Sequence, residues 1–181
     1  MLNEQQKNYV LRIQSAAKIG QAKTGIPAEL IAAWWTWETA FGTNKTHIVN
    51  NHAGIKSTST GKDYISGDYA GYNTIQNFAN DWARIISLNR FGYPAIIQAA
   101  RAKKSYEQIT DAHNDSDWSE DPYNLYTIRK RAEAIRVIYG SNYISAPAPV
   151  TPDVNSLSQE DIKKYAAIGL AVLAAIALVK N

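Results

Sequence analysis

One stretch constrains this chain more than any other: Ala33-Trp34-Trp35-Thr36-Trp37-Glu38-Thr39-Ala40-Phe41-Gly42, an apolar run that ends in a single carboxylate. Upstream, Gly25-Ile26-Pro27-Ala28-Glu29 reads as a helix start. Proline suits the first helical turn because its missing N–H would be unpaired there in any case. Ile31, Trp34 and Trp35 follow at helical spacing, and Gly42 is the expected stop. Glu38 then lies in the last turn of an almost wholly apolar helix. Trp34 and Trp35 precede it by four and three residues, which puts them on its face. Indole walls desolvate the charged form, and the negative end of the helix dipole opposes it as well, so both raise the carboxyl pKa. A carboxyl kept protonated near neutral pH is what a general acid needs. The same pattern also fits an acid that only tips a core helix and reaches water past Phe41.

The flanking sequence is mostly helical. Asn3 to about Lys23 carries Tyr9, Val10, Ile13 and Ala17 as an amphipathic stripe closed by Gly25. A polar stretch rich in Gly and Thr follows the Trp helix, from Asn50 to Tyr69, and predicts a small hairpin or β lobe. Helical period returns at Ile75, Phe78, Trp82 and Ile86. Tyr93-Pro94 opens a further helix, and Ser105-Tyr106-Glu107-Gln108 is a capping box. Asp121-Pro122 is the expected opening of a last long helix that ends at Gly140. Residues 1–140 thus read as one domain, predominantly α with a small β lobe. Residues 141–158, rich in Pro, Ala and Ser, read as a linker. Residues 159–181 carry the uncharged run Tyr165 to Val179 between Lys163-Lys164 and Lys180. That run of about 15 residues makes roughly 22 Å of helix, short of a usual span of about 20 residues. Snorkelling lysines supply the rest, so the tail is expected to be a membrane anchor.

Composition narrows the chemistry. The chain has no cysteine, which excludes a thiol nucleophile, disulfides and Cys-based zinc sites. Five Trp and eleven Tyr in 181 residues suit both a core and a sugar-stacking cleft. A formal charge of +3 is too mild to indicate a nucleic-acid partner. His47, His52 and His113 lack helical metal-ligand spacing, so neither a metal nor any other cofactor is expected. The polar Met1 to Lys7 segment does not read as a signal peptide.

From Thr24 to about Gly140 the chain resembles the glucosaminidase domain of glycoside hydrolase family 73. Thr24-Gly25-Ile26-Pro27-Ala28 is similar to the family's T-G-I-P-A/S helix start, and Trp37-Glu38-Thr39-Ala40-Phe41-Gly42 to its A-L-E-[ST]-x-[WF]-G block. Asn50-Asn51-His52-Ala53-Gly54-Ile55-Lys56 is similar to N-N-L-F-G-I-K, and Trp118 to Pro122 falls where the family has Y-A-T-D-P. His52, Ala53, Trp118 and Asp63 depart from the family's Leu, Phe, Tyr and Glu. The resemblance implies a lysozyme-like α+β fold that cleaves β-1,4 bonds in peptidoglycan glycan strands, on the reducing side of N-acetylglucosamine. It places the catalytic acid on Glu38. Asp63, with Asp68 in reserve, is the expected second carboxylate on the β lobe. Trp34, Asn51, Tyr64, Tyr72, Trp118 and Tyr123 are the expected substrate contacts, although a core role competes for the aromatic ones.

The second half of the reaction needs a base, a nucleophile or the substrate's own acetamido group on the far face of the sugar, and the sequence leaves these open. Two other readings stand beside hydrolysis. One is a lytic transglycosylase or muramidase that uses Glu38 alone. The other is a non-catalytic wall-binding or virion protein. A muralytic domain tethered at a membrane suggests a phage protein, placed in a virion membrane or the host envelope for entry or lysis.

Overall fold

The computed structural model describes residues 2–43, 49–118 and 121–140. The linker and the hydrophobic tail proposed for 141–158 and 159–181 lie outside the described residues. Among the described residues no helix is long and apolar enough to cross a membrane.

Six helices and one two-stranded sheet form in the order α1 (Glu4–Thr24), α2 (Ala28–Glu38), β1 (Tyr64–Ser66), β2 (Tyr69–Gly71), α3 (Ile75–Ile86), α4 (Tyr93–Arg101), α5 (Tyr106–Asn114) and α6 (Leu125–Tyr139). The mostly helical α+β class expected from the sequence is what forms. Local chemistry explains most of the boundaries. Asn3 caps α1 reciprocally with Gln6, Ser105 does the same for α5 with Gln108, and Thr74 caps α3.

α2 is the axis of the domain. Every residue from Ala28 to Thr36 is buried, so the helix has no solvent face and must be enclosed on all sides. α1 and α6 pack against it, and α1 also packs along α3. Trp35 drives this enclosure on one side. Its ring meets Phe78 at 4.8 Å and Trp82 at 5.4 Å, both edge to face. On the other side Trp34 donates from Nε1 to Thr110 Oγ1 and packs on His113 at 4.4 Å. The two indoles therefore cement α2 to α3 and to α5.

The β lobe is small. β1 and β2 pair antiparallel with Tyr64 opposite Gly71 and Ser66 opposite Tyr69. The lobe is fastened to α3 by Asp81, which is buried. Asp81 Oδ2 accepts from Tyr72 (2.6 Å) and Ser59 (2.5 Å), while Oδ1 takes Arg84 through Nε (2.9 Å) and Nη2 (2.6 Å). Four donors satisfy a carboxylate that would otherwise be costly to bury.

Two boundaries differ from expectation. α2 stops at Glu38 rather than running to Gly42, because Ala40, Phe41 and Gly42 all take positive φ, at 46°, 58° and 80°. α6 begins at Leu125 behind an Asn124 cap, not at Asp121-Pro122. The chain between them stays out of the helix and delivers Tyr123 to the end of α2.

Candidate active site

Glu38 is the last helical residue of α2 and is half-buried. Tyr123 Oη donates to Glu38 Oε1 at 2.5 Å. Burial pushes the Glu38 carboxyl above its ordinary value, and the tyrosine hydrogen bond partly opposes that rise by stabilising the anion. Burial first, then the neighbouring carboxylate, holds the Tyr123 hydroxyl well above its usual range, so Tyr123 is a neutral donor at any working pH. Glu38 thus has one oxygen fixed by a phenol and the other directed at the loop of the Asn50–Lys56 motif. A Cβ at Gly54 would stand 3.8 Å from Glu38 Oε2, and Gly54 has φ of +62°. Glycine permits that backbone conformation beside the acid.

The Asn50–Lys56 loop is a scaffold for this approach. Asn51 is fully buried. Its Nδ2 donates to the Ile55 and Ala70 carbonyls, at 2.7 and 2.9 Å, while its Oδ1 accepts from Ile55 N. Asn50 Nδ2 reaches the Tyr72 carbonyl. Asn51, expected to contact substrate, is consumed by these backbone bonds instead.

The turn after Glu38 is strained and braced. Non-glycine residues at positive φ cost roughly 1–2 kcal/mol each, and such residues persist only where their surroundings hold them. Here Tyr9 Oη bonds Thr39 Oγ1 at 2.8 Å and His52 Nδ1 at 2.7 Å. Arg131 lies 5.1 Å from the Trp37 ring centroid and 5.0 Å from that of Phe41. The His52 departure from the resembled motif has a physical reason in this contact: its ring nitrogen is the partner of a buried tyrosine.

Behind Tyr123 lies a stack of rings. His113 is 4.8 Å from Tyr123, and Trp34 is 6.3 Å from it in a parallel arrangement. Burial depresses the His113 pKa to about 3, so the ring is neutral and packs as an aromatic.

The remaining expected contacts divide. Trp34 and Tyr72, expected as substrate contacts in competition with a core role, are fully buried in the core. Trp34 acts through Tyr123, and Tyr72 is tied to Asp81. Tyr123 is itself 97% enclosed, with 3% exposure, and holds the acid rather than stacking on sugar. Trp118 is half-buried and lines an open cleft of about 300 Å³ with Gly54, Lys56, Arg84, Arg90, Tyr93 and Asp117. Tyr64 is exposed, with its ring laid over Gly71. Asp63 is fully exposed and lines a different cleft with Gly61, Asn77 and Asp81. Asp63 Oδ2 accepts from Asn77 Nδ2 at 2.8 Å and from Asn73 N at 2.7 Å, and these bonds hold its carboxyl below the ordinary range. Asp68 is exposed in the hairpin turn.

Spacing alone did not indicate Tyr123 as the partner of Glu38, since 85 residues separate them. Its place directly after Asp121-Pro122 was the available signal. The Tyr9–Thr39–His52 brace and the Asp81 fastening had no sequence signature.

The comparisons with known proteins bear on the fold and the family. A solved chain from a type VI secretion system effector-immunity complex of Pseudomonas protegens shares the fold, with a TM-score of 0.59 at 14% identity over 77% of this chain and 96% of that one. No curated protein matches the sequence. The model of the glucosaminidase family, described as mannosyl-glycoprotein endo-beta-N-acetylglucosaminidase, matches residues 14–140. That match takes in α2 with Glu38, the Asn50–Lys56 loop and Tyr123, and the chain belongs to the glucosaminidase family of glycoside hydrolases.

Proposed function

We propose that the domain is a peptidoglycan hydrolase of the endo-β-N-acetylglucosaminidase type, with Glu38 as the general acid. One observation carries the reading: a carboxyl at the end of a buried helix, raised in pKa by burial, with one oxygen held by Tyr123 and the other beside Gly54 of the cleft wall. Such a group donates its proton to the glycosidic oxygen as the bond to the anomeric carbon breaks. Water then adds at the anomeric carbon and gives up a proton to a carboxylate. Loss of glycan fragment release on Glu38→Gln, with the variant folded, tests the assignment.

Either Asp63 takes the proton of the attacking water, or the substrate's acetamido oxygen first bonds the anomeric carbon as the leaving oxygen departs, and water then opens that ring and gives its proton back to the Glu38 carboxylate. Hydrogen bonds that lower the Asp63 pKa make it a weak proton acceptor, and it lines a cleft other than the one with Gly54 and Trp118. These facts favour a route through the acetamido group, with Glu38 as the only protein carboxylate in the chemistry. A transglycosylase or muramidase outcome shares that single-acid design.

The cellular setting we propose is attachment through residues 159–181 to a virion membrane or host envelope, in phage entry or lysis. The support is the uncharged run Tyr165 to Val179 between lysines. Release of the full chain from membranes by a salt wash would count against it, and retention lost on deleting residues 159–181 would support it.

A further inference from the structure

The cleft beside the acid carries charge that glycan chemistry alone does not use. Its walls include Gly54, which faces Glu38 Oε2, and Trp118, and they also include Lys56, Arg84, Arg90 and one acid, Asp117. Arg84 is already neutralised by Asp81 at 2.6 Å. Lys56 and Arg90 make no ion pair among the described residues. Each rests on an aromatic face instead, with Lys56 Nζ 4.9 Å from the Tyr69 ring centroid and the Arg90 guanidinium 4.6 Å from that of Phe91. Cation–π contact orients these groups while leaving their donors open to an anion. A neutral N-acetylglucosamine chain gives such cations nothing to pair with. A muramyl sugar does: its lactyl ether carries a peptide with free carboxylates.

We propose that the Lys56–Arg90 cleft is a stem-peptide subsite that binds the carboxylates of the muramyl-linked peptide and selects strands whose peptide carboxylates are free over strands in which they are capped. Asp117 on the same wall repels a second carboxylate and limits the site to one or two anionic groups. The inference rests on the peptidoglycan reading above and adds which part of that polymer the enzyme senses.

The test measures binding rather than turnover, with the full chain carrying Glu38→Gln. Its dissociation constants are compared for peptide-bearing glycan strands and for the same strands with their peptide carboxylates converted to neutral amides, at low and at moderate salt. The expected preference for strands with free peptide carboxylates over the amidated strands is about fivefold at low salt, the range of two exposed ion pairs, and it shrinks as salt rises. Adding Lys56→Gln and Arg90→Gln brings the ratio near one, whereas Lys56→Arg with Arg90→Lys keeps it. Equal binding of both strands by the Glu38→Gln chain overturns the inference, as does a preference that survives the double Gln change. Failure of the hydrolase reading shows elsewhere, as no fragments from the chain with Glu38 intact on either strand.

Discussion

Tyr123 Oη donates to Glu38 Oε1 across 85 residues of sequence, and this bond joins the segment leading into α6 to the end of α2. It both aims the carboxyl and opposes the rise in pKa that burial causes. Tyr123→Phe removes the opposing influence, so the Glu38 pKa climbs further. The basic limb of the pH–rate profile, where the acid is lost, should move to higher pH, while kcat falls about tenfold from lost orientation. A pH profile of the variant checks both.

Glu38→Gln should separate activity from stability. Activity drops roughly 10²–10⁴-fold, the contribution of a positioned acid. Stability moves the other way. A carboxyl whose folded pKa lies above its unfolded value binds more protons in the native state, so stability falls as pH rises through that interval. Once pH exceeds the raised Glu38 pKa, the charged carboxylate weakens the fold, and its amide, which still accepts from Tyr123, should be the more stable. Below the ordinary carboxyl value near 4.5 the difference should vanish. Urea melts at pH 7 and at pH 4 give the comparison.

The brace after Glu38 is open to a double-mutant cycle. His52→Leu, the residue of the resembled motif, leaves Tyr9 Oη with Thr39 alone and should cost about 1 kcal/mol. Tyr9→Phe in addition should cost less than the sum of the two single changes, because neither partner is then left waiting for the other.

Asp81→Ala should loosen the β lobe. It strips Tyr72, Ser59 and Arg84 of a common acceptor, two of them at buried or half-buried sites, for a loss of about 2–3 kcal/mol. Hydrogen exchange should rise in residues 56–72 before it rises in α2.

Asp63→Asn should leave kcat within about threefold, against the roughly 10²–10⁴-fold that a general base contributes. A loss of the larger size would restore Asp63 as the second catalytic carboxylate.

The fold was largely legible because its signals are local. Asn3, Thr74 and Ser105 cap the helices they precede, and apolar period marks α1, α3 and α6. Glu38 was legible for the same reason, as a carboxyl at the end of an apolar helix. What escaped was non-local. The indole pair was expected to wall Glu38, yet Trp35 turns to Phe78 and Trp82, and Trp34 reaches the acid only by stacking on Tyr123. Aromatic content cannot distinguish a ring that lines a cleft from one that supports it, and Trp34 and Tyr72 are both buried in the core. The buried polar brace from Tyr9 to His52 depends on packing between distant segments, which leaves no period in the sequence.

The most direct measurement is mass spectrometry of the reducing ends released when the full chain digests purified peptidoglycan. Fragments ending in N-acetylglucosamine, absent with Glu38→Gln, are the predicted result. Fragments ending in N-acetylmuramic acid or its anhydro form would contradict the glucosaminidase cut, and fragments that persist in Glu38→Gln would contradict Glu38 as the acid.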